Sequence, residues 1–374
     1  MKTFQAGTYI NQGTYKSFQP NPINREWKIE NMEIWKLLSQ ADRELGRLDM
    51  YSNYIPNIDL FISMHVLKEA IKSSKIEGTQ TKIEEALLDK EDIPLDRRND
   101  QEEVQNYTKA MEWAIKELGN LPFSNRLIRE THKVLLQGVR GAEKQPGEFR
   151  RSQNWIGGAS ISDAVFIPPV HSSVTELMSD IEKFLHNESN LLPELLKIAI
   201  VHYQFETIHP FLDGNGRVGR LLIPLYLVSR NILKKPILYL SDFFERNRKL
   251  YYDNLTIVRV DNNIEQWFKF FLVGIIETCR NGISTFDGIM QLQKKVDNDI
   301  QSLGNRMTSA KAVTDFLYQK PLVTADVVSK VAGISMPSAY KLINSLEKLG
   351  ILNEVTGGQR GRIYVFDEYL SLFR

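Results

Sequence analysis

Long stretches of helical spacing dominate this chain. Ile34, Leu37, Ala41, Leu45 and Leu48 recur at intervals of three and four, which lays one apolar stripe along a helix beginning near Glu30. A second helix is predicted from Ile58 to about Ser74, stopping near Gly78, since a glycine just past a helix end supplies a left-handed cap. The acidic run at 84–103 reads as a charged connection into a helix carrying Val104, Ala110, Trp113 and Ile115. Further amphipathic stretches cover 126–136, 173–185, 194–208, 243–258 and 265–303. Residues 1–26 are polar, with Pro20 and Pro22, and read as an extended arm against the main body.

Two segments differ. In 154–169 the apolar runs Trp155-Ile156 and Val165-Phe166-Ile167 flank a Gly- and Ser-containing turn, which predicts a β-hairpin ended by Pro168 and Pro169. From about Thr308, short helices are predicted at 309–318, 325–332 and 337–349, with Thr324 and Ser335 in capping positions. Ile351-Leu352, a Gly357-Gly358 turn and the alternating Arg362–Phe366 follow, the element order of a winged helix. The fold class is therefore mainly α: a helical core with a β-hairpin flap, plus a C-terminal winged-helix domain.

Composition narrows the function. In 374 residues, 42% are hydrophobic and 25% charged, enough apolar content for a sizeable core. A formal net charge of +1 argues against a generic polyanion binder. The single cysteine, Cys279, excludes an intramolecular disulfide or a Cys-based zinc site and reads as a core residue. The first residues lack the apolar region of a secretory signal, and no run approaches the ~20 apolar residues of a membrane span. The expectation is a cytoplasmic protein without a membrane partner.

The chemistry concentrates in His209-Pro-Phe-Leu-Asp-Gly-Asn-Gly-Arg-Val-Gly-Arg220. Pro210 should end the preceding helix near His209. Gly214, Asn215 and Gly216 tolerate positive φ and can turn successive N–H groups into an anion nest. A helix starting there adds unpaired N–H groups and its positive dipole end. Arg217 and Arg220, three apart, can aim guanidinium forks at phosphate. Asp213 is a hard oxygen ligand suited to Mg²⁺, and His209 suits a general base near neutral pH. Phe211 anchors the loop. His202, Glu206 and His209 could also share a helix face as metal ligands. No further His or Cys completes that shell, so His202 and Glu206 read as packing groups.

This motif resembles the signature of the Fic family, His-Pro-Phe-x-Asp/Glu-Gly-Asn-Gly-Arg-x-x-Arg, at every defining position. The resemblance implies a protein adenylyltransferase using ATP and Mg²⁺. His209 would deprotonate the target hydroxyl, and Asp213 would hold Mg²⁺ on the α- and β-phosphates. Gly214, Asn215 and Gly216 would cradle the phosphates, with Arg217 and Arg220 on the outer ones. The hairpin at 154–169 is similar to the family's flap, on which a target Ser, Thr or Tyr segment docks by strand addition. Ser73-Ser74-Lys75-Ile76-Glu77-Gly78 resembles the family's inhibitory motif, in which Glu77 would pair with Arg220. In Fic proteins a tyrosine near Tyr251 and Tyr252 lines the adenine pocket; Tyr252 is favoured.

The implied organisation is an N-terminal arm and helices with the inhibitory helix over 1–100, a catalytic core over 101–305 and a winged helix over 306–374. Lys341, Lys348, Arg360 and Arg362 could meet DNA phosphates, though Glu347 and Glu354 dilute that face. The alternatives are a DNA-binding regulator with a nucleotide-sensing core, a binding module with a degenerate site, and a relative that moves other phosphate-bearing groups or removes AMP. Oligomeric state, a homodimer included, stays open.

Overall fold

The computed structural model describes residues 4–55, 58–139, 141–357 and 361–374. The N-terminal arm folds as an antiparallel hairpin of β1 (Gly7–Asn11) and β2 (Lys16–Pro20). Its polar outer face hid this from the apolar pattern. β1 is mostly exposed, and Phe18 of β2 is the buried anchor.

Helices α1 (Met32–Tyr54) and α2 (Ile58–Ile76) follow, then α3 (Ile83–Leu87) and α4 (Arg98–Glu117). The acidic connection thus contains a short helix and gives way to α4 earlier than expected. Asn31 starts α1 by accepting from the Glu33 N–H at 3.0 Å. Past the end of α2, Gly78 has φ +109°, the positive value anticipated for it. Around the catalytic segment stand α5 (Asn125–Leu135), α6 (Val174–His186), α7 (Glu194–Ile208) and α8 (Asn215–Ser229). Apart from Glu194, every residue of α7 is buried, which makes it the central rod.

One helix was expected across 243–258. The chain forms α9 (Ser241–Arg246) and α10 (Arg248–Asp261), divided at Asn247, whose backbone leaves the helical region. The 38-residue α11 (Ile264–Gln301) packs along α1, and Trp267 donates its indole N–H to the Ala199 carbonyl of α7 at 2.8 Å. Cys279 lies buried on α11, and burial pushes its thiol pKa up.

The last segment holds α12 (Met307–Leu317), β3 (Leu322–Thr324), α13 (Ala325–Ala332), α14 (Met336–Lys348), β4 (Asn353–Glu354), β5 (Ile363–Val365) and α15 (Asp367–Ser371). Its three-stranded sheet has the order β3-β5-β4, antiparallel throughout. Thr324 caps α13 as anticipated, accepting from the Val327 N–H at 3.4 Å. Ser335 makes no capping bond to α14, because its hydroxyl pairs with that of Ser338. Gly358 and Arg360 lie outside the described residues.

This module is not detached. Tyr318 meets Phe61 edge-on at 5.3 Å, and Phe373 meets His65 at 5.0 Å, both against α2. Among the described residues, no helix is long and apolar enough to cross a membrane.

Candidate active site

The site is the turn between α7 and α8. His209 leaves α7 with φ +51° and ψ +61°. The helix ends where Pro210 demands, through a left-handed residue rather than an extended one. Gly214, at φ +74°, takes the position before α8. The N–H groups at the start of α8 then face outward, as helix geometry requires.

The loop is clamped from all sides. Phe211 is fully buried and stacked on the His132 ring at 3.7 Å. The N–H of Gly147 donates to His132 Nδ1 at 2.8 Å, so the ring proton sits on Nε2 and is donated to the Asp213 carbonyl at 3.0 Å. Burial lowers the His132 pKa to about 4, which keeps this clamp neutral. Arg150, also buried, donates from Nε to the His209 carbonyl at 3.0 Å and from its backbone N–H to the Pro210 carbonyl at 2.8 Å. Asn154 donates to the Phe211 carbonyl at 2.9 Å. Asn215 folds its own side chain back onto Phe211, accepting from N–H and donating to C=O at 2.8 Å each. Its amide is therefore committed to the loop, and what Asn215 can offer an anion is backbone.

Burial lowers the His209 pKa to about 4, against the pull of Glu77, so its imidazole is neutral at physiological pH. The Asp213 carboxylate, one-third exposed, accepts from the Gly214 N–H at 2.5 Å and meets Arg217 at 3.4 Å. Gly141 lies against its other oxygen, where an added Cβ would come within 2.8 Å.

Arg217 departs from expectation. Its guanidinium pairs with Glu103 of α4 at 3.0 Å, and both side chains are only 2% exposed. It anchors α8 to α4 and braces Asp213; it does not present an open fork toward outer phosphates. Arg220 is as deeply buried but faces α2. It donates Nε to the Ser73 hydroxyl and Nη2 to the Ser73 carbonyl, both at 2.8 Å, and Nη2 to Glu77 at 2.7 Å. Burial raises the Glu77 pKa, but Arg220 outweighs it and holds the carboxyl below its ordinary value. A Cβ added at Gly216 would fall 2.2 Å from Glu77 Oε1, so the carboxylate lies directly on the opening of α8.

The two tyrosines separate. Tyr251 is 1% exposed, packed among Phe244, Trp267 and His202, with its hydroxyl on His202 Nε2 at 2.8 Å. A ring enclosed in this way has no face to offer a base, so the expectation narrows to Tyr252, which is 39% exposed beside Arg248. His202 spends its other nitrogen on the Gly219 carbonyl at 2.9 Å. Among the described residues, no three His, Cys, Asp or Glu side chains are grouped to hold a metal, and His202 is a packing group. Glu206 is buried against Gly219, and burial raises its pKa to about 7.

The hairpin at 154–169 narrows to a single antiparallel bridge, Ile156 with Phe166, opened by Gly157 and Gly158 at positive φ. β2 lies beside it, with the Phe18 N–H donating to the Ile167 carbonyl at 2.9 Å. His132, Glu103, Arg150 and Asn154 carry no signature in the sequence. Each acts through a backbone carbonyl or a partner tens of residues away.

The scaffold is mainly helical, with a neutral histidine at the turn into α8. The chain belongs to the Fic family. The model described as Fic/DOC family N-terminal matches residues 35–116, and that described as Fic/DOC family matches 122–227. The chain is 39% identical over 102 residues to the protein adenylyltransferase Fic of Drosophila grimshawi, a stretch covering 27% of this chain and 19% of that protein. It is 33% identical over 144 residues to the Aedes aegypti protein of the same name, covering 38% and 26%. The chain thus spans about a quarter or less of these curated relatives. A Fic family protein from Desulfovibrio desulfuricans G20 shares the fold at a TM-score of 0.59 and 19% identity, covering 91% of this chain and 98% of that one.

Proposed function

We propose that this chain is a protein adenylyltransferase that moves AMP from ATP to a hydroxyl of a target protein and of itself. The observation that carries the reading is the convergence of neutral His209, Asp213 and Arg220 on the start of α8. His209 takes the proton of the target hydroxyl. The freed oxygen attacks the α-phosphate, the bond to the β-phosphate breaks, and pyrophosphate leaves. The N–H groups of Asn215 and Gly216 meet the phosphate charge, while that of Gly214 is held by the Asp213 carboxylate. One carboxylate beside a phosphate cradle fits Mg²⁺, which is usually held by one or two carboxylates plus substrate phosphates. Asp213 would hold it, and the ion would neutralise phosphate charge. Tyr252 offers a ring face to the adenine.

Glu77 restrains the enzyme. It ties up Arg220, the arginine that would clamp the γ-phosphate, and puts negative charge where that phosphate belongs. The element order and sheet order of the C-terminal module support reading it as a winged helix. The test is transfer of label from α-labelled ATP to protein in a cell lysate. His209→Ala should lower it ~10²–10⁴-fold, the usual contribution of a positioned base. Transfer that survives the substitution overturns the mechanism.

A further inference from the structure

Behind the helix that carries Glu77 lies a cavity of ≈ 610 Å³ with only cationic charge in its lining: Lys68, Lys72, Lys75, Lys82, Arg248 and Arg374. Its volume falls in the range of small-molecule sites. At about 100° per residue, Lys68, Ile71 and Lys75 stand roughly 140–160° around α2 from Ser73, which bonds Arg220. These residues are therefore on a different face of α2 from the one that meets Arg220.

Part of the charge is answered. Lys72 meets Asp242 at 3.0 Å, Lys75 meets Glu245 at 2.8 Å, and Arg374 meets Glu84 at 2.9 Å. Lys68, Lys82 and Arg248 have no carboxylate within 4.0 Å among the described residues. Burial lowers the Lys68 pKa, as expected for an ammonium taken from water without full compensation. Independently, Thr79 and Thr81 line the same cavity, are 4% and 8% exposed, and have hydroxyls with no hydrogen-bond partner. Orphaned buried hydroxyls are uncommon and costly. Ile71, Ile83 and Phe373 add an apolar wall.

We propose that this cavity binds a small polyphosphate anion, with Lys68, Lys82 and Arg248, which no salt bridge holds among the described residues, supplying its contacts. Phosphate accepts from ammonium and guanidinium donors alike, and only a multiply charged anion matches so many cations. The apolar wall leaves room for an organic group on the phosphates. Lys82 follows Glu77 by five residues, so an occupant it holds grips the segment that carries the restraint.

Calorimetry of tripolyphosphate binding to the full chain carrying Arg220→Ala tests this apart from the adenylyltransfer reading, because the active-site clamp is gone. Binding is expected, weakened tenfold or more when Lys68→Gln and Lys82→Gln are added. GTP in a parallel titration separates the sources. Tighter binding than tripolyphosphate identifies an organic polyphosphate, and equal binding identifies the phosphate chain alone. No binding at millimolar tripolyphosphate, or binding indifferent to the lysine pair in a protein of unchanged melting temperature, overturns the proposal.

Discussion

Two faces of α8 carry arginines three residues apart, equally buried and each paired with a glutamate, yet the surroundings differ. On the face toward α4, Arg217 meets Glu103, and both are sealed from water. On the face toward α2, Arg220 meets a glutamate whose side chain stays one-third exposed at a helix end. Opening the first pair strands two buried charges, whereas opening the second strands only Arg220, which keeps its bonds to Ser73. The second can open, because Glu77 has solvent to move into and Gly78 behind it as a flexible joint. One arginine is thus locked into the scaffold and the other into a contact that can open, although the motif presents them alike.

Substitutions can break that contrast. Glu103→Ala should cost ~3–5 kcal/mol of stability, as removing one partner of a buried pair does. Glu77→Ala should cost less, ~1.5–3 kcal/mol, because Glu77 is already partly solvated and Arg220 keeps its two bonds to Ser73. Chemical denaturation of both variants checks this, and equal losses would end the distinction. Tyr251→Phe strands His202 Nε2 and should destabilise by ~1–3 kcal/mol. Tyr252→Ala should leave stability unchanged and raise the KM for ATP a few-fold, the loss of roughly one stacking contact.

The pH dependence sharpens the picture further. The pKa values of His65, His132, His202 and His209 fall to about 3, 4, 3 and 4, chiefly through burial. Below the ordinary value near 6.5 the unfolded chain binds more protons than the folded one. The stability these four groups contribute is full above about pH 6.5 and declines from there toward pH 4, offset in part by Glu206, whose raised pKa acts in the opposite sense. Melting temperatures across that range check the sign. In the pH range where the chain stays folded, transfer should show no limb near pH 6.5, since His209 is already neutral there.

Much of this was legible beforehand. Apolar spacing located most of the helices, and Gly78 and Thr324 marked their boundaries because caps are local chemistry. The family resemblance of the six residues from Ser73 to Gly78 implied the pairing of Glu77 with Arg220, and the two meet at 2.7 Å. What stayed hidden depends on distance or on burial. Glu103 is 114 residues from Arg217, and nothing in an acidic run distinguishes the one carboxylate that turns inward. Two adjacent tyrosines look alike until α10 buries one and exposes the other. The hairpin of β1 and β2 escaped notice because strands with one wet face and a single buried phenylalanine leave little apolar pattern.

The central claim is that Arg220 is shared between Glu77 and the nucleotide. Label transfer from α-labelled ATP by Glu77→Gly, set beside the parent, tests it most directly. Losing a charge-assisted hydrogen bond worth ~1.5–3 kcal/mol should raise transfer roughly tenfold or more. Transfer no greater than the parent's would contradict the account.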